Sequence, residues 1–164
     1  MTSNLFSFTD YSQSNPCFGC PAPCCRMQLI PCKVPASFYD LDYLRYMLLF
    51  PDTEAIIKQD GSWNLIKWVT CRAFEALSLK CSLHNTPDKP QICRLYDAHN
   101  CWYKRNFVQV SSEELYRLNL ARFEVWIQEV QIDANGIIVS APEFNRALEL
   151  LKDIPIEPSF ALAS

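Results

Sequence analysis

The residues of this 164-residue chain best suited to chemistry are its nine cysteines. Four of them, Cys17, Cys20, Cys24 and Cys25, fall within nine residues in the spacing C-x2-C-x3-C-C. Thiolates are soft and easily deprotonated beside a cation, so they bind zinc and iron-sulfur clusters strongly, and C-x2-C places two sulfurs on one ion. A second group, Cys71, Cys81, Cys93 and Cys101, follows with intervals of x9, x11 and x7, and Cys32 stands between the groups. The odd count and the adjacent Cys24-Cys25 pair speak against a disulfide framework. Consecutive Cα atoms lie about 3.8 Å apart, below the roughly 4.4 Å at which disulfides begin. Adjacent thiolates serve one polynuclear centre or two nearby ions, so the expected cofactor is zinc or an iron-sulfur cluster.

The same residues resemble a known family, the YkgJ-like cysteine-cluster proteins described as zinc- or iron-chelating domains with a C-x2-C-x2-C-C motif. Members resemble this chain further on, where they carry Cys-x-Ile/Leu-Tyr and then Arg-Pro-x-x-Cys-Arg. Here Cys81-Ser82-Leu83-His84 and Lys89-Pro90-Gln91-Ile92-Cys93-Arg94 stand in those places. The resemblance covers Cys17 to Tyr96. It departs by one extra residue before Cys24-Cys25, by Lys89 in place of arginine, and by a longer gap between Cys81 and Cys93. It implies Cys17, Cys20, Cys24, Cys25, Cys71, Cys81 and Cys93 as metal ligands. Cys101 is added on its spacing alone, and Cys32 is held in reserve.

Other candidates take blander readings. His84 and His99 are expected as surface or hydrogen-bonded side chains rather than ligands. The run Trp102 to Phe107 interleaves aromatic and basic residues, which suits base stacking, but core packing with solvated Lys and Arg is the expected role. Arg94, Lys104 and Arg105 are available to offset the charge of a thiolate-rich centre. Glycine occurs only at 19, 61 and 136, and no phosphate loop, H-E-x-x-H or nucleophile motif is present. No catalytic residue is nominated.

The elements that must position these cysteines follow from pattern. Ser37 caps a helix over Phe38 to Phe50 with Leu41, Leu44 and Leu48 facing a core, and Pro51 ends it. Asp60-Gly61 turns into a strand from Trp63 to Val69. Ser111-Ser112-Glu113-Glu114 opens a long helix to Val130, with Leu115, Leu118, Phe123, Trp126 and Val130 on one face. Asn135-Gly136 makes a turn before a short strand at Ile137 to Val139, and a last helix runs from Ser140 to Lys152. The two cysteine regions, Cys17 to Pro35 and Cys71 to Cys101, read as proline-rich loops. The expected fold is therefore α+β: small, mainly helical with short strands, with long irregular cysteine-rich loops organised around a metal centre. A flexible segment (1–16), one metal-binding domain (17–153) and a tail (154–164) are expected.

Composition narrows the functional classes. An apolar fraction of 49% is enough for a packed core. The net charge of -3 gathers no phosphate backbone, so nucleic acid is not an expected partner. No apolar run reaches the roughly 18 residues of a membrane span. The polar start, Met1 to Asn15, lacks the pattern of a secretory signal, which favours a cytoplasmic setting in which thiols bind metal rather than oxidise. The leading expectation is a metal-binding accessory protein in electron transfer, metal handling or docking to a protein partner. Its alternatives are an iron-sulfur enzyme of redox or methyl-transfer chemistry and a structural zinc interaction module.

Overall fold

The computed structural model describes residue 17, residues 20–107 and residues 115–156. The lead-in expected over 1–16, the capping box at 111–114 and most of the expected tail lie outside the described residues. The chain forms two compact units, one drawn from Met1–Arg26 and Thr70–Ser111, the other from Met27–Val69 and Ser112–Ser164.

The second unit is built on a four-stranded antiparallel sheet in the order β1-β3-β2-β6. Its strands are β1 (Met27–Cys32), β2 (Thr53–Lys58), β3 (Trp63–Trp68) and β6 (Leu115–Leu118). The β2–β3 hairpin turns at Asp60-Gly61, where Gly61 takes a φ of 82° open to a residue without Cβ. The Asp60 carboxylate accepts the Ser62 N–H at 2.8 Å. β3 pairs with β1 from Met27 opposite Trp68 to Cys32 opposite Trp63. Pro31 fits there because β1 is an edge strand, whose outer side needs no donor.

Three helices belong to this unit: α1 (Phe38–Leu48), α4 (Leu120–Trp126) and α5 (Phe144–Leu151). A capping box starts α1, in which the Ser37 hydroxyl accepts from the Asp40 N–H and the Asp40 carboxylate accepts from the Ser37 N–H. Asn119 caps α4 by accepting the Arg122 N–H at 3.0 Å. One face of the sheet contributes Ala55, Ile57, Trp63, Leu65, Tyr116 and Leu118 to a core completed by Leu41, Leu44 and Leu48 of α1, Phe123 and Trp126 of α4, and Ala147 and Leu151 of α5. Trp63 and Trp126 meet edge to face at 5.6 Å. On β2 and β6, Glu54 receives both the Nε and an Nη of Arg117, at 2.7 and 2.8 Å, and the guanidinium also lies 5.3 Å from the Trp68 ring. A small hairpin, β7 (Gln131–Ile132) and β8 (Ile138–Ser140), closes through Gly136 at a φ of 81°.

The first unit holds the short ladder β4 (Phe74–Glu75) with β5 (Lys80–Cys81), the short helices α2 (Gln91–Arg94) and α3 (Trp102–Phe107), and a 3-10 turn at Pro23–Cys25. Among its described residues only Pro23, Phe74 and Asn106 are buried.

Several expectations are corrected. The fold is α+β, but with only 32% of the described residues in helix it is not mainly helical. The Met27–Cys32 segment, expected as loop, is a strand, and Thr53–Lys58 is a second strand not foreseen. The long helix expected up to Val130 is instead β6, a cap at Asn119 and α4, because Leu115, Tyr116 and Leu118 complete the edge of β2. Nor is the fold organised around a metal centre. Its order comes from the sheet core, and among the described residues no three His, Cys, Asp or Glu side chains are gathered tightly enough to hold an ion. No helix of the described residues is long and apolar enough to cross a membrane.

Candidate functional site

Each nominated cysteine, Cys17, Cys20, Cys24, Cys25, Cys71, Cys81, Cys93 and Cys101, falls in the first unit. Cys32 alone falls in the other, on β1 opposite Trp63, where it packs against the hydrophobic core and burial pushes its thiol up. That position gives Cys32 the role of a small apolar side chain.

Local backbone geometry assembles the rest. The Cys20 N–H donates to the Cys17 carbonyl at 3.1 Å, closing the first C-x2-C turn. Pro23, with its φ fixed, starts the 3-10 turn that carries Cys24 and Cys25, and Ala22 before it takes a left-handed φ of 52°. The Cys71 N–H donates to the Cys25 carbonyl at 2.7 Å, joining the two cysteine regions. Cys81 sits across from Phe74 in the β4–β5 ladder. Cys101 begins α3: its carbonyl accepts the Arg105 N–H at 3.1 Å, and its Sγ accepts the Lys104 N–H at 3.3 Å. The Tyr96 hydroxyl donates to the same sulfur at 3.2 Å. Two donors aimed at one Sγ are the hydrogen bonding that stabilises a thiolate, charged or metal-bound.

The electrostatics show which sulfurs feel one another. The adjacent Cys24 and Cys25 thiols interact, which with burial holds Cys24 well above the usual thiol range and draws Cys25 down to about 7 against its own burial, with Lys89 adding to the fall. Burial raises the Cys17 thiol, and the sulfurs of Cys20, Cys101 and Cys25 raise it further against the opposing charge of Lys104. Tyr103 is raised by burial and then by Cys24, Cys101 and Cys93. The sulfurs of Cys17, Cys20, Cys24, Cys25 and Cys101 therefore influence one another, although no three described residues stand at ligand distance from a common point. A bound cation would outweigh repulsion of this kind by its attraction to each sulfur, since a metal deprotonates the thiols it binds. The donor types suit zinc or an iron-sulfur cluster, but among the described residues no three of them are gathered to hold an ion.

Among the basic residues, Lys89 and Lys104 act on the sulfurs, whereas Arg94 is spent on the loop before α2. Its guanidinium donates to the carbonyls of Lys89 at 2.8 Å, Thr86 at 3.3 Å and Pro87. His84 is exposed with Nδ1 3.2 Å from the Lys89 amine, and His99 is exposed beside Asp97. Neither joins the cysteines in a group able to hold an ion. Sequence reasoning missed Arg26, whose guanidinium lies 5.2 Å from the Phe74 ring with Nε and Nη2 buried and without hydrogen-bond partners. Its position directly after Cys24-Cys25 was the available signal. No protein family, no curated protein and no solved structure matches the chain.

Proposed function

We propose that this chain is a cytoplasmic metal-binding accessory protein whose first unit holds zinc or an iron-sulfur centre on its cysteine thiolates. The observation that carries the reading is the partition of the cysteines: the eight nominated ones share one unit, and the ninth, half-buried, packs against the core of the other. Crowded thiols without a metal are exposed to oxidation, and Cys17, Cys24, Cys71 and Cys93 are all exposed. The resemblance of the spacing to the cysteine-cluster family supports the same reading. Bound metal would supply the first unit with cohesion that its few buried side chains do not. Lys89, Lys104 and the Tyr96 hydroxyl would offset and orient the thiolate charge.

Anaerobic purification followed by elemental analysis and a visible spectrum tests this. Zinc is colourless, and iron with acid-labile sulfide gives a broad visible band. Either metal in the wild type, lost in a Cys24→Ser/Cys25→Ser variant, is the expected result. A metal-free wild type, or a double variant with unchanged metal content, rejects the proposal.

A further inference from the structure

Helix α1 has two faces. Taking about 100° per residue, Leu41, Leu44 and Leu48 occupy one narrow stripe, and that stripe is buried. Tyr39, Tyr43 and Tyr46, with Phe50 just beyond the last turn, occupy a second stripe about 60° wide on the opposite side of the helix. Its exposures are 76%, 55%, 52% and 46%, and Leu49 beside it is 56% exposed. The rings touch one another, Tyr43 with Tyr46 at 6.2 Å and Tyr46 with Phe50 edge to face at 5.2 Å. An aromatic row of this kind on the solvent side of a core helix is unusual, because exposed faces are ordinarily polar.

From this stripe we infer that a second copy of the chain docks on α1, helix against antiparallel helix, to form a two-fold dimer. Three features identify the occupant. The aromatic positions are spaced 4-3-4, a palindrome, so reversing the helix sets Tyr43 against Tyr46 and Tyr39 against Phe50 of the other copy. A two-fold contact needs this self-complementarity.

The flanking charges choose the direction. Asp42 and Leu49 border one side of the stripe, Asp40 and Met47 the other. The antiparallel pair brings Asp42 beside Leu49 of the other copy and Asp40 beside Met47. A parallel pair brings Asp42 beside Asp40 twice, a like-charge clash.

The area is also sufficient. With about half of each ring and of Leu49 exposed, at 150–250 Å² per aromatic side chain, the stripe offers about 500 Å² per copy. The pair would bury about 1,000 Å², the lower limit for a specific interface and the size class of transient complexes.

The test is sedimentation velocity on the full chain from low to high micromolar concentration, with reductant present so that thiol cross-links play no part. The wild type is expected to dimerise over this range. Tyr43→Lys/Tyr46→Lys is expected to weaken the dimer at least about tenfold by placing like charges across the seam. Tyr43→Lys/Tyr46→Glu is expected to restore it, because each Lys then faces a Glu of the other copy. Circular dichroism and thermal melting, expected to match the wild type, confirm that all three chains fold. A wild type that stays monomeric, a dimer indifferent to the Lys/Lys change, or Lys/Glu and Lys/Lys variants equally unable to pair would each overturn the inference.

Discussion

The two units reach order by different physical routes. The sheet unit buries aromatic and aliphatic side chains from every one of its four main strands or the helices against them, with Leu41, Ile56, Ile66, Leu118, Phe123 and Trp126 almost wholly out of water. Cohesion of that kind is intrinsic, since each buried apolar side chain contributes about 1.5–3 kcal/mol. The cysteine unit buries Pro23, Phe74 and Asn106 among its described residues and is otherwise turns, two short helices and a two-residue ladder tied by backbone hydrogen bonds. Small units with so little core depend on disulfides, metals or partners. Under the proposed function, a metal would matter to the unit that carries the sulfurs and not to the one that carries the core.

Changes confined to the sheet unit sharpen the contrast by lowering stability while leaving metal content intact. Phe123→Ala, which empties a fully buried site, is expected to cost about 3–5 kcal/mol by chemical denaturation. Arg117→Met removes both guanidinium hydrogen bonds to the largely buried Glu54 carboxylate and is expected to cost about 1–3 kcal/mol. Cys32→Ala is expected to cost about 1 kcal/mol through lost packing, and unlike Cys24→Ser/Cys25→Ser it should leave elemental analysis unchanged. Ser37→Ala deletes the cap of α1 and should cost about 1 kcal/mol or less. A metal loss in Cys32→Ala would break the comparison by tying the core-side thiol to the site.

The sheet unit was partly legible in the sequence. Ser37, the leucines at 41, 44 and 48, and Asp60-Gly61 each act locally, and they gave α1 and the hairpin turn correctly. Strand β1 was hidden because Pro31 and Cys32 made Met27–Cys32 look like an extension of the cysteine loop, and only its pairing with β3 makes it a strand. Strand β6 was hidden because Leu115, Leu118 and Phe123 fit a helical spacing as readily as a strand followed by a helix. Tertiary pairing decides such cases.

The candidate site divides in the same way. Its ligand types were visible in the spacing around Cys17 to Cys25, but the exclusion of Cys32 depends on β1 leading away into the sheet. The roles of Lys89 and Lys104 depend on later segments folding back on Cys25 and Cys17, whereas Tyr96 meets Cys101 within its own segment. Arg94 was visible as a charge near Cys93, while its use on three loop carbonyls was not.

The most direct test of the account is hydrogen exchange read by mass spectrometry before and after chelation of the anaerobically purified protein. The account predicts that peptides from 70–107 lose protection when metal is withdrawn, while those from 27–69 and 115–156 keep theirs. Unchanged protection in 70–107, or an equal loss across both units, would contradict it.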